Sequence, residues 1–174
     1  MKITRTRQMM HLALFAAISF VLYYLEIPVF MALKMDFSDV PVMVGTYAFG
    51  PIFGFMVALT KNILHFFFKA GDFAGALANF FFAILLIVPI GFSRRKKRNL
   101  QLAAYAIWVP IGAVIMHYLN YFITFPLYYG EITPELVDFL WTAFFPFNLI
   151  KGAILLFIVW VINPKLNQIY KDII

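Results

Sequence analysis

Apolar residues dominate this chain in long blocks broken by short polar punctuation. Reading along it, blocks fall at about 9–25, 39–68, 73–92, 101–128 and 135–162. Runs of roughly 17–25 apolar residues are what a helix needs to cross a hydrocarbon core about 30 Å thick. The block at 39–68 is longer than one crossing requires and carries "GTYAFGPIFG", with Gly50-Pro51 at its centre. Proline favours a helix start and pushes the residue before it out of helical geometry. The block therefore divides into helices at 39–49 and 51–68.

Charge placement supports the same division. Ten of the 14 Lys and Arg fall in three clusters: Lys2, Arg5 and Arg7; "RRKKR" at Arg94–Arg98; and Lys165 with Lys171. Lys and Arg concentrate in cytoplasmic loops, so an even number of crossings must separate the clusters. The expectation is one all-α integral membrane domain over 1–174 with six transmembrane helices (9–25, 39–49, 51–68, 73–92, 101–128, 135–162) and both termini cytoplasmic. Glu26, Asp36, Asp39, Asp72, Glu131, Glu135 and Asp138 then lie outside, and only Asp172 inside. The basic start before an apolar run resembles a signal peptide, but "LEIPVF" makes a poor cleavage site, and the segment is kept as the first helix. The segment Glu26–Ser38 is the longest outer connection, where a binding loop is expected, and Ser38 or Asp39 is placed to cap the helix that follows.

Composition agrees: 64% hydrophobic, 13% charged, 22 Phe and no Cys. Soluble domains carry about 25% charged residues. Without cysteine there are no disulfides or thiolate sites, and the net charge of +6 is explained by the loop clusters, with no nucleic-acid partner implied.

The candidate chemistry is what remains polar inside the apolar blocks. Lys61 and Lys151 lie deep, and an ionisable residue within a membrane helix points to a functional site; neither has an obvious carboxylate partner in the sequence. Asn148 lies ten residues past Asp138, about 15 Å below the outer surface at 1.5 Å per residue. Asn120, ten residues before Gly130, reaches a similar depth. Lys151 shares a helix face with Asn148 at i, i+3, and its side chain leans back towards that level. Asn120, Asn148 and Lys151 can thus converge at mid-depth, suiting a flat, uncharged heterocycle with carbonyl oxygens and ring nitrogens. The other account is interhelical glue, common for a single membrane Asn. If these groups form a site, Lys151→Ala weakens binding and leaves the fold intact. "KNILH" puts Lys61, Asn62 and His65 on adjoining faces of the third helix, where they extend a secondary polar cavity, with Asn79, or contact headgroups. The triplets Phe66–Phe68 and Phe80–Phe82 read as lipid-facing bulk. His11, His65 and His117 lack metal-ligand spacing, so no metal is expected. No phosphate-binding loop, nucleophile–base pair or embedded acid is legible, so the chain is expected not to be an enzyme, and any uphill transport needs an energised partner. Two other classes stay open. A small ion-coupled carrier lacks the membrane carboxylate it needs, and a lipid-modifying enzyme lacks clustered acids.

"MDFSDVPVMVGTYAFGPIFGFMVALTKNILH" (Met35–His65) resembles the substrate-binding S components of energy-coupling factor (ECF) vitamin transporters. "HYLNYFITFPLYY" (His117–Tyr129) and "FPFNLIKG" (Phe145–Gly152) resemble their riboflavin-specific branch. The resemblance implies a six-helix subunit of the cell membrane that captures riboflavin from outside. It docks on an ECF transmembrane coupling subunit with two ATPase subunits, and topples in the lipid bilayer when ATP is hydrolysed. It implies flavin contacts from Asn120, Asn148 and Lys151, loop contacts from Met35, Asp36 and Phe37, and coupling-subunit contact through Ala13 and Ala17. Riboflavin, or alternatively its phosphorylated form FMN or another vitamin, is the bound ligand, and no cofactor is expected.

Overall fold

The computed structural model describes residues 5–30, 33–69 and 72–169, leaving Lys2, Lys171 and Asp172 outside it. Helices α1 (Arg5–Tyr24), α2 (Asp39–Phe49), α3 (Pro51–Phe68), α4 (Phe73–Ser93) and α5 (Arg98–Leu119) follow in order. The short α6 (Phe125–Tyr129) and α7 (Pro134–Phe139) precede the long α8 (Phe145–Ile169). Between α1 and α2 the connection is no plain loop: β1 (Ile27–Phe30) pairs antiparallel with β2 (Leu33–Met35). Among the described residues four helical runs are long and apolar enough to cross a membrane: Pro51–Phe68, Phe73–Ser93, Arg98–Tyr129 and Pro134–Ile169.

The break between α2 and α3 falls at Gly50, whose φ of 108° is open to glycine at little cost, with Pro51 as the first residue of α3. Past the break the helices pack closely. A Cβ on Gly54 would run into the Thr46 side chain, so only glycine lets α3 lie this near α2.

Two turns widen into π-helix, at Asn120–Thr124 and Leu140–Phe144. In each, the next backbone N–H reaches back five residues, Phe125 to Asn120 and Phe145 to Leu140. Pro126 and Pro146 follow two residues after each widened turn. A proline has no N–H for the carbonyl four residues back and its ring crowds that carbonyl; a wider turn relieves both. Such turns collect at functional sites.

Met43, Tyr47, Phe82, Leu86, Ile90, Leu155 and Val159 form the main core between α2, α4, α5 and α8, and Ala16, Val42, Val57, Ala58 and Ile87 form a second under α1. Phe82 is a correction to the lipid-facing expectation: it is buried, whereas Phe67 and Phe68 are exposed. One face of α1 exposes Met10, Leu14, Ile18 and Val21, and Ala13 and Ala17 are exposed beside them. At the Arg98 end of α5 a polar cluster closes the bundle. Gln101 Nε2 donates to the Arg94 and Lys96 carbonyls, Asn163 Nδ2 donates to Gln101 Oε1 at 2.7 Å, and Tyr47 donates to Asn167.

Candidate ligand-binding site

At the other ends of α5 and α8 lies a cavity of about 280 Å³. Its walls bring Asn120, Asn148, Lys151, Asp36 and Asn79 together. Phe82, Met116, Phe125, Phe144 and Phe147 supply apolar surface beside them, a mixture usual for small-molecule sites. Asn120 opens one π turn, and its Oδ1 accepts from Thr124 at 2.8 Å. Asn148 follows the other by one turn, and its Nδ2 is buried with no partner. Sequence spacing put these residues at one depth; it did not reveal the widened turns, for which Pro126 and Pro146 are the available signal.

The lysines correct a sequence expectation, since each has a carboxylate. Lys151 Nζ sits 2.8 Å from Asp36 Oδ2, and Lys61 Nζ 2.6 Å from Asp39 Oδ1. Asp36 and Asp39, expected on the outer surface, are buried. Ser38 links the pairs. Lys61 Nζ donates to Ser38 Oγ at 2.6 Å, and the Ser38 hydroxyl and backbone N–H both donate to Asp36 Oδ1. Ser38 stands at the N-cap position of α2 yet caps nothing with its side chain; Asp36 has taken its hydroxyl. The four charges cancel, as buried charges must where no water solvates them.

The remaining expected residues separate. Met35 and Phe37 flank Asp36 but do not line the cavity, and Phe37 is 40% exposed. Lys61 and Asn62 also lie off its lining, with Asn62 Nδ2 donating to the Ala58 carbonyl. Asn79 lines the cavity, and its Nδ2 reaches Asp36 Oδ2 at 3.5 Å. Sequence reasoning missed Glu26, Asp72, Tyr23 and Tyr128 as lining residues. Glu26, at the start of the hairpin, pairs with Lys34 and with Lys69. Asp72 accepts from the Gly75 N–H and the Tyr128 hydroxyl, each at 2.8 Å. Among the described residues no cluster of His, Asp and Glu is placed to hold a metal.

Burial pushes the Asp36 carboxyl up, but the charges of Lys151 and Lys61 and the bonds from Lys151 and Ser38 outweigh it and hold it at about 2. An unfolded Asp titrates near 4. A lowered carboxylate stabilises the fold fully above the unfolded value and loses that contribution as pH falls through the folded one. Thermal unfolding midpoints measured in detergent are therefore expected to drop between about pH 4 and pH 2, more steeply in wild type than in Asp36→Asn. Equal slopes would remove Asp36 from the account.

The family model described as "ECF transporter, substrate-specific component" matches residues 7–163. The chain belongs to that family. Relatives of this S component include a Staphylococcus aureus protein named riboflavin transporter RibU, 30% identical over 97% of this chain and 95% of its own length. Another is the Bacillus subtilis riboflavin transporter FmnP, 32% identical over 94% of this chain and 93% of its own length. A solved structure, described as the S component of a bacterial ECF transporter, superposes with a TM-score of 0.82 at 27% identity, covering 95% of this chain and 98% of that one. The S component is thus a membrane transport protein, a substrate-binding part and not an enzyme.

Proposed function

We propose that this S component binds riboflavin and delivers it across the cytoplasmic membrane when docked to an ATP-driven module. The observation that carries this is the meeting of Asn120, Asn148 and Lys151 on one wall of a single cavity, in a chain whose relatives are named riboflavin transporters. Asn148 Nδ2 and the Lys151 ammonium offer N–H groups to carbonyl oxygens and ring nitrogens of the isoalloxazine, and Asn120 adds an amide. The phenylalanines and Met116 hold its benzenoid part. Asp36 is the contribution of the outer connection, through its grip on Lys151. The partners are the coupling subunit and two ATPase subunits, which supply energy that this chain has no phosphate-binding motif to supply.

Six crossings with both termini cytoplasmic fit the charge clusters. The 11-residue α2 is too short to span alone, but most of it is buried against protein, which a membrane tolerates. The exposed Ala13 and Ala17 make α1 the docking face. A bulky residue at either position is expected to spare riboflavin binding and abolish uptake in cells carrying the coupling module; retained uptake would move docking elsewhere.

The first test is titration of the purified protein with riboflavin, followed by quenching of flavin fluorescence. One-to-one quenching is expected, with FMN weaker by tenfold or about that. The cavity lining carries Glu26, Asp36 and Asp72 against Lys34 and Lys151, so a phosphate of charge about −2 meets no surplus of positive charge there. Absence of quenching would return the site to a different ligand.

A further inference from the structure

The riboflavin reading uses the α5–α8 wall and leaves the α1–α3 wall without a role. On that wall His65 is 2% exposed, yet neither ring nitrogen has a hydrogen-bond partner. Its ring lies flat on Tyr23, with centroids 3.6 Å apart and planes 11° from parallel. Packing alone fixes it, and both residues line the cavity. A buried polar group left unpaired costs folding free energy. A phenylalanine would stack on Tyr23 without that cost, so the fold gives no reason for an imidazole here.

Other groups of the lining are acceptors. Asn79 Oδ1 is also buried without a partner. Asp72 forms no ion pair among the described residues, and with Glu26 it adds carboxylate oxygens to the lining. Amide oxygen and carboxylates accept, and a neutral imidazole supplies one acceptor and one donor. The α5–α8 wall, by contrast, offers Asn148 Nδ2 and the Lys151 ammonium, both donors. One wall therefore suits carbonyl oxygens and the other suits hydroxyl groups. A cation gains little on the second wall, because Lys34 and Lys69 already match Glu26.

We propose that His65, assisted by Asp72, forms a polyol subsite that takes the hydroxylated tail of the ligand while its ring lies against α5 and α8. The proposal rests on the riboflavin reading and names His65 as the residue that makes the tail count towards affinity.

The test compares riboflavin with lumiflavin, which has the same ring system and a methyl group in place of the ribityl chain. Full-length protein in detergent is titrated with each by fluorescence quenching. Wild type is expected to prefer riboflavin. His65→Phe is expected to lose riboflavin affinity by about tenfold, to leave lumiflavin affinity unchanged, and to unfold at the same temperature or higher without ligand. His65→Gln, which restores a donor and an acceptor, is expected to recover part of the loss. Parallel losses for both flavins, or no loss for either, would overturn the subsite. Equal wild-type affinities for the two flavins would overturn it without any variant. If wild type binds neither flavin, the riboflavin reading fails and takes the subsite with it.

Discussion

Lys151→Met is expected to lose both riboflavin affinity and stability, and the two losses are expected to separate in a double variant. Lys151 and Asp36 are buried and 2.8 Å apart. Removing one partner of a buried pair leaves the other charge uncompensated, a cost of about 3–5 kcal/mol. From the sequence alone Lys151 looks unpartnered, and its truncation is expected to spare the fold; Asp36 reverses that expectation. Asp36→Leu combined with Lys151→Met removes both charges, and replacing a buried pair by apolar groups is often neutral or stabilising. The double variant should therefore regain its unfolding temperature. It should not regain riboflavin, because a hydrogen bond from a charged donor contributes about 1.5–3 kcal/mol, about 10- to 150-fold in affinity. Fluorescence titration and thermal unfolding on the same samples decide the matter. A stable double variant that binds like wild type would show that Lys151 holds the fold and not the ligand.

Lys61→Met is expected to be more damaging to the fold and harmless to the site. Lys61 and Asp39 are both fully buried and 2.6 Å apart, and Asp39 Oδ2 already lacks a partner. Losing the ammonium strands a carboxylate in the first turn of α2, again about 3–5 kcal/mol. It also releases Ser38, whose hydroxyl the lysine holds. The expected result is poor yield and an unfolding midpoint far below wild type. Asp39→Leu with Lys61→Met should recover most of the stability, short of the roughly 0.3–1 kcal/mol that an acid contributes at a helix N-terminus. Riboflavin affinity of that double variant should stay within about threefold of wild type, since Lys61 lies off the cavity lining. A larger loss in a stable double variant would place Lys61 in the binding machinery.

Much of the arrangement was legible because its causes are local. Gly50-Pro51 marks a break that any chain must make there. Asn148 and Lys151 share a face because helical spacing puts them there, and counting residues from Asp138 and Gly130 sets Asn120 level with Asn148, in keeping with the lining they share. What stayed hidden depends on pairing across the fold. Asp36 is 115 residues from Lys151, and no local pattern announces their meeting. Acids beside a helix start read as a solvated rim by default, yet here the hairpin β1–β2 brings Asp36 inward. "IPVFMALKM" is too uniformly apolar to show the alternation of a strand. The π turns left a trace in Pro126 and Pro146, but a proline more often kinks or ends a helix than widens one. Within "KNILH", Lys61, Asn62 and His65 all suit a polar cavity, and of the three His65 lines it; that its ring nitrogens lack hydrogen-bond partners is visible only in the fold.

The pairing of the buried lysines bears on motion in an electric field. Moving one unpaired elementary charge through a membrane potential of 100 mV involves about 2.3 kcal/mol of work. Asp36, Asp39, Lys61 and Lys151 sum to zero within a few ångströms of each other's partners. In any movement across the bilayer that the domain made, these groups would travel as two compact dipoles. A membrane voltage would do almost no net work on these four charges.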